Sequence, residues 1–154
     1  MARPDDLDAW LRLLRTPGIG RDQARRLLAA CGSPTAVFAA SQAALRELVG
    51  APLAAALASP PERHAEQRSL TEAWLDADPS RHVLTVGDAD YPALLLQTAD
   101  PPLLLYAQGH LSLLKNPALA VVGSRNPSAQ GIDNARAFAL HLSRAGVPIV
   151  SGLA

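Results

Sequence analysis

The chain has 154 residues, 49% of them hydrophobic, which is enough to fill the core of one ordinary domain or two small ones and too much for a disordered chain. A single cysteine, Cys31, excludes an internal disulfide framework and fits a reducing compartment, and no apolar run approaches the roughly 18–20 residues of a membrane span, so the chain reads as cytoplasmic with no membrane partner. Formal net charge is zero, but residues 1–30 carry +2, residues 31–114 carry −5 and residues 115–154 carry +3. This segregation permits a polyanionic partner that the zero total would argue against.

In chain order, Leu7, Trp10, Leu11 and Leu14 recur at helical spacing, with Asp5 or Asp6 as the cap and Pro17 as the stop. Gly18 and Gly20 bracket Ile19 in a tight turn, and a second helix follows with Ala24, Leu27, Leu28 and Cys31 on one face. Gly32 ends it. Ser33 with Pro34 opens a short helix through Val37 and Phe38, Ser41 caps another containing Leu45, Leu48 and Val49, and Gly50 closes that one. An alanine-rich helical stretch then runs to Ser59, and Pro60 with Pro61 marks the end of a first, all-helical domain over residues 1–60.

A polar helix from Glu62 to Ala77, with Leu70, Ala73 and Trp74 as its apolar stripe, and a turn at DPSR form a connector over residues 61–81. From there the pattern changes to short strands at 82–86, 103–107, 119–122 and 147–150, with a short helix at Pro92–Gln97 between the first two. Tyr91 is expected to be a packed ring with its hydroxyl at the surface. Between the last two strands lie a loop and a helix from Ala129 to Ala145, with Ala135, Phe138, Ala139 and Leu142 facing one way and Gly146 as the stop. That is a βαβ crossover, so residues 82–154 are expected to begin an α/β domain with a parallel sheet. The last residues lie one turn past a strand, and the sheet reads as truncated.

The chemically pointed stretch is AVVGSRNPSAQG at 120–131, where a strand hands the chain to a helix and free amides favour an anion. Gly123 would let the backbone turn closely, and Ser124 and Ser128 offer hydroxyls. Arg125 offers a bidentate fork, and Gly131 permits close approach. The bland alternative is a turn with a capping Ser128 and an Arg125 paired to Asp133. Neither a dinucleotide fingerprint nor a Walker A loop is present. A second candidate is TPGIGRDQARRLL, which resembles a helix-hairpin-helix element. There the amides of the Gly18–Gly20 turn, with Arg21 and Arg25, would meet a nucleic-acid phosphate, or the arginines would simply be solvated. His64, His82, His110 and His141 are scattered with no metal spacing, and no nucleophile elbow occurs, so no metal, no cofactor and no enzymatic centre are expected.

Taken together, PGIGRDQARRLL, VGDADYPALLLQTADPPLLLYAQG, LAVVGSRNPSAQG and GVPIVSGLA, in that order, resemble the front of the DNA-processing protein A (DprA/Smf) family across nearly the whole chain. The resemblance implies a small sterile-alpha-motif-like or helix-hairpin-helix domain ahead of a Rossmann-like domain. It implies a non-enzymatic protein that binds single-stranded DNA, protects incoming DNA during natural transformation and helps load the RecA recombinase, with homodimerisation in the full-length protein. The family's G-S-R-x-x-S-x-x-G motif falls on Gly123, Ser124, Arg125, Ser128 and Gly131, with Gln130 where the family often has Tyr. The family continues past S-G-x-A with R-G-I-D, whereas this sequence stops after Ser151, Gly152, Leu153 and Ala154. The competing expectations are a Rossmann-like nucleotide or nucleoside-phosphate enzyme using the same loop, and an inactive fragment.

Overall fold

A computed structural model describes residues 6–152. The chain divides into two compact units, Met1–His110 and Leu111–Ala154.

The first unit is organised around α1 (Leu7–Arg15), which buries side chains on two sides. Trp10 and Leu13 join Ile19, Ala24, Leu27, Val37, Leu45, Ala54 and Leu57 in one apolar cluster, while Leu7 and Leu11 join Leu75 and Val83 in another. Asp6 holds the N-cap position but its side chain makes no capping bond, contrary to expectation, and Asp5 lies outside the described residues. Thr16 closes α1, its amide and hydroxyl both donating to the Arg12 carbonyl at 3.0 and 2.8 Å. The chain then turns through Gly18 at a φ of +81°, where any side chain would be strained and an added Cβ would lie 2.8 Å from Leu53 Cδ2.

Next come α2 (Arg21–Cys31), α3 (Pro34–Ala39), α4 (Gln42–Val49) and α5 (Ala51–Leu57). The capping serines behave as their sequence positions predict: Ser33 Oγ accepts from the Ala36 amide and Ser41 Oγ from the Ala44 amide, at 3.1 and 3.2 Å. Cys31 packs half-buried against the first cluster.

In α6 (His64–Asp76) only Trp74 of the predicted stripe packs against the second cluster, half-buried, while Leu70 and Ala73 are exposed. Thr71 and Leu75 are buried whereas Leu70 is 59% exposed. The reason is that Thr71 can enter the interior fully bonded, its hydroxyl donating to the Gln67 carbonyl at 2.9 Å and lying 3.0 Å from Tyr106 Oη. A hydropathy stripe cannot anticipate a buried hydroxyl with two partners. Trp74 meets the Tyr106 ring edge-on at 5.3 Å, and Asp8 of α1 accepts from Arg68 and bonds His64 Nε2, tying α6 to α1.

Strand β1 (Arg81–Thr85) pairs antiparallel with β2 (Leu104–Gln108), Val83 opposite Tyr106. Four short strands were expected from residue 82 onward, the last two parallel across a βαβ crossover. Among the described residues, β1–β2 and the later, parallel pair are separate two-stranded sheets. The first compact unit extends through His110, because Val83 shares a cluster with α1 and α6, and Leu103 lies in the helical core. The link between β1 and β2 contains a 3-10 turn at Ala93–Gln97 and the buried Tyr91. Its hydroxyl is not at the surface but donates to the Pro102 carbonyl at 2.6 Å.

The second unit holds a 3-10 turn at Leu111–Lys115, strand β3 (Leu119–Ala120), helix α7 (Ala129–Arg144) and strand β4 (Ile149–Val150). Strands β3 and β4 pair in parallel, Leu119 with Ile149 and Ala120 with Val150, as the βαβ reading requires. Ala135, Ala139 and Leu142 are the half-buried face of α7; Phe138, expected with them, is 66% exposed. Two-residue strands cover only a narrow stripe of the helix, and the bulky ring falls outside it.

Two outcomes follow from this packing. Leu75→Ala should cost about 2–5 kcal/mol in urea unfolding while Leu70→Ala stays within about 0.5 kcal/mol; equal losses would restore the hydropathy stripe. Burial pushes the Tyr91 phenol above its ordinary range. A raised phenol contributes stability that is intact below the unfolded value and lost as pH rises through the folded one. Alkaline titration should therefore show one late-ionising tyrosine whose ionisation destabilises the chain, and Tyr91→Phe should remove that ionisation.

Candidate nucleic-acid interface

In the second unit, β3 and β4 run in the same direction, so their carboxyl ends lie side by side. The loop after β3 and the Ser151–Gly152 segment after β4 leave from that rim, which is where ligands sit in α/β sheets. The loop is open: every residue from Val122 to Gln130 is exposed.

Its internal bonds set its shape. Ser128, extended at φ −69° and ψ 159°, caps α7 by accepting from the Gly131 amide at 3.1 Å. Ser124 Oγ accepts from the Asn126 amide at 3.1 Å, folding the loop back behind Arg125. Gln130 donates to Asn134 at 2.8 Å, one helical turn on. The first-turn amides of Ala129 and Gln130 have no carbonyl behind them by the geometry of a helix start, and they carry the positive end of the helix dipole.

Arg125 makes no hydrogen bond or ion pair among the described residues, and so the alternative in which it pairs with Asp133 is not what the chain adopts. The two glycines serve differently from the sequence expectation. No atom lies within 4 Å of a Cβ built at Gly123 and its φ is not left-handed, so glycine there leaves the rim open rather than enabling a turn. A Cβ at Gly131 would sit 3.4 Å from Ser128 Oγ and 3.8 Å from Pro127 Cβ, against the cap.

The glycine turn of the first unit is arranged otherwise. The Ile19 amide donates to the Thr16 carbonyl at 3.1 Å and the Gly20 amide to Gln23 Oε1 at 3.2 Å, so two amides that a phosphate would need are already bonded. Arg21 and Arg25 converge on Asp100, each at 2.6 Å from a different carboxylate oxygen. Arg26 is paired with Asp22 at 3.1 Å. Asp100, 75 residues from Arg25 along the chain, carries no local sequence signal linking it to this turn. Among the described residues no group of three or more His, Cys, Asp or Glu is placed to hold a metal, and no helix is long and apolar enough to cross a membrane.

The cap is separable from any binding role. Ser128→Ala should cost about 1 kcal/mol and fray the first turn of α7, read as lost amide protection at Gly131 and Ile132, with β1–β2 unaffected; unchanged protection would show that the cap does not hold the loop.

Known proteins share both halves of this arrangement. A family model described as DNA recombination-mediator protein A matches residues 82–154, and one described as DprA-like N-terminal HHH domain matches residues 4–67. Protein Smf of Escherichia coli is 42% identical over 81 residues, 53% of this chain and 21% of that protein. DNA processing protein DprA of Bacillus subtilis is 36% identical over 74 residues, 47% of this chain and 25% of that protein, and DprA of Streptococcus pneumoniae is 46% identical over 67 residues, 44% and 23%. The matched stretches thus span about a fifth to a quarter of these relatives. The solved structure of DNA processing protein A from Streptococcus pneumoniae superposes with a TM-score of 0.56 at 24% identity, covering 86% of this chain and 44% of that one, which establishes a shared fold. With the two models matched in family order along the chain and the fold held in common, the chain belongs to the DprA/Smf family of DNA-processing proteins.

Proposed function

We propose that this chain contributes the phosphate-gripping rim of a single-stranded DNA-binding recombination mediator. Arg125 is the first contact, with Gly123, Ser124, Ser128 and Gly131 shaping the rim around it. The observation that carries this reading is that Arg125 stands exposed, and unpaired among the described residues, at the carboxyl end of a parallel strand pair beside the start of α7. A guanidinium with no carboxylate beside it, next to outward amides, suits a phosphodiester and asks for no particular base. The work is positioning, with no bond broken and no cofactor used. In the longer relatives' context, the mediator would protect incoming strands during natural transformation, dimerise, and hand the strand to the RecA recombinase in the cytoplasm. Gly18, Gly20, Arg21 and Arg25 would at most be auxiliary contacts, since the Gly20 amide and both guanidinia are already engaged.

Salt-titrated fluorescence anisotropy with a labelled thymidine oligonucleotide tests the assignment. Arg125→Ala should weaken binding about tenfold and flatten the dependence of log K on log salt by about 0.7, the loss of one phosphate contact on a single strand. Equal affinity of the two proteins would reject Arg125 as a contact. Calorimetry with mononucleotides should show far weaker binding than the strand does; tight monomer binding would favour a nucleotide enzyme instead.

A further inference from the structure

The Arg21–Asp100–Arg25 cluster of the first unit has the form of an anion site with an anion of the chain's own already in it. Two guanidinia from successive turns of α2 hold the two oxygens of one carboxylate, at 2.6 Å each, and Arg25 Nη1 reaches the Pro101 carbonyl at 3.3 Å. A phosphodiester presents the same pattern: two charged oxygens on one centre, matched by planar donor forks.

The carboxylate can let go without disturbing the fold. The three side chains are 53%, 34% and 44% exposed, and ion pairs that open to solvent contribute little to stability. The segment carrying Asp100 is anchored independently, by Leu103 in the helical core and by the Tyr91 hydroxyl on Pro102. Polyanions, in contrast, gain from releasing counterions at every contact made.

We propose that Asp100 is an internal phosphate mimic that occupies the Arg21–Arg25 pair and is displaced by the backbone of a nucleic-acid strand. This rests on the single-strand-binding reading above and adds its regulation: the helical unit is held out of DNA contact until a strand competes with Asp100. The bonded amides of Ile19 and Gly20 leave the two arginines as the donors of this second site.

The experiment uses the full chain and a labelled thymidine oligonucleotide, read by anisotropy across a salt series. Asp100→Asn should bind about three- to tenfold tighter at low salt and steepen the log–log salt slope by about 1.4, the signature of two more phosphate contacts on a single strand. Adding Arg21→Ala and Arg25→Ala to that variant should return both quantities to the parent values. Glu47→Gln, which makes the same change in net charge on the exposed side of α4, should leave the slope unchanged. Arg21→Ala with Arg25→Ala in the parent chain should weaken low-salt binding much less than the same pair does in the Asp100→Asn background. An Asp100→Asn protein whose slope matches the parent's, while Arg125→Ala still weakens binding, overturns the mimic and leaves the Arg125 reading standing. A gain with Asp100→Asn alongside an inert Arg125→Ala supports the mimic and rejects the rim. Absence of strand binding by parent and Asp100→Asn alike overturns both.

Discussion

The first unit depends on a helix that has no outer side to spare. Helix α1 sends Trp10 and Leu13 into the helical cluster and Leu7 and Leu11 against Leu75 and Val83, so nine residues hold two apolar clusters together. A helix of this length is marginal in water without tertiary packing. The consequence is that the helix-turn-helix corner, α6 and the β1–β2 pair form one compact body. The tight turn at Gly18 belongs to the same packing, with the Leu53 side chain of α5 against it, Cδ2 2.8 Å from where a Cβ would be.

The distribution of charge partners separates the two candidate interfaces more clearly than the charges themselves. In the first unit Arg21, Arg25, Arg26, Arg63 and Arg68 all have carboxylates within ion-pair distance. In the second, Arg125 has none among the described residues. A basic residue with a carboxylate already in its fork must exchange one anion for another, whereas Arg125 loses only water. The proposed GSR contact is therefore the one that needs no internal anion to be displaced, even though the glycine turn has more arginines near it.

Much of this was legible in the sequence where a signal is local. Ser33, Ser41 and Ser128 cap the helices that their spacing announces, and the interval between β3 and β4 specifies a parallel crossover. The candidate rim was legible for the same reason, since Gly123 to Gly131 are contiguous. What escaped had a distant partner. The buried face of α6 moved from Leu70 to Thr71 and Leu75 because Tyr106 and Gln67 satisfy a hydroxyl. Phe138 looked like a core residue by period alone, but the strands beneath α7 are too short to reach it.

By itself the sequence determined the order of elements, the serine caps and the place of the candidate rim, because each depends on backbone preferences within a few positions of the chain. Tertiary structure decided which strands pair, where the compact units divide, and which arginines are free. Those outcomes turn on contacts such as Leu7 with Val83 and Arg25 with Asp100, whose members are far apart in sequence and whose energies exist only once the chain has folded.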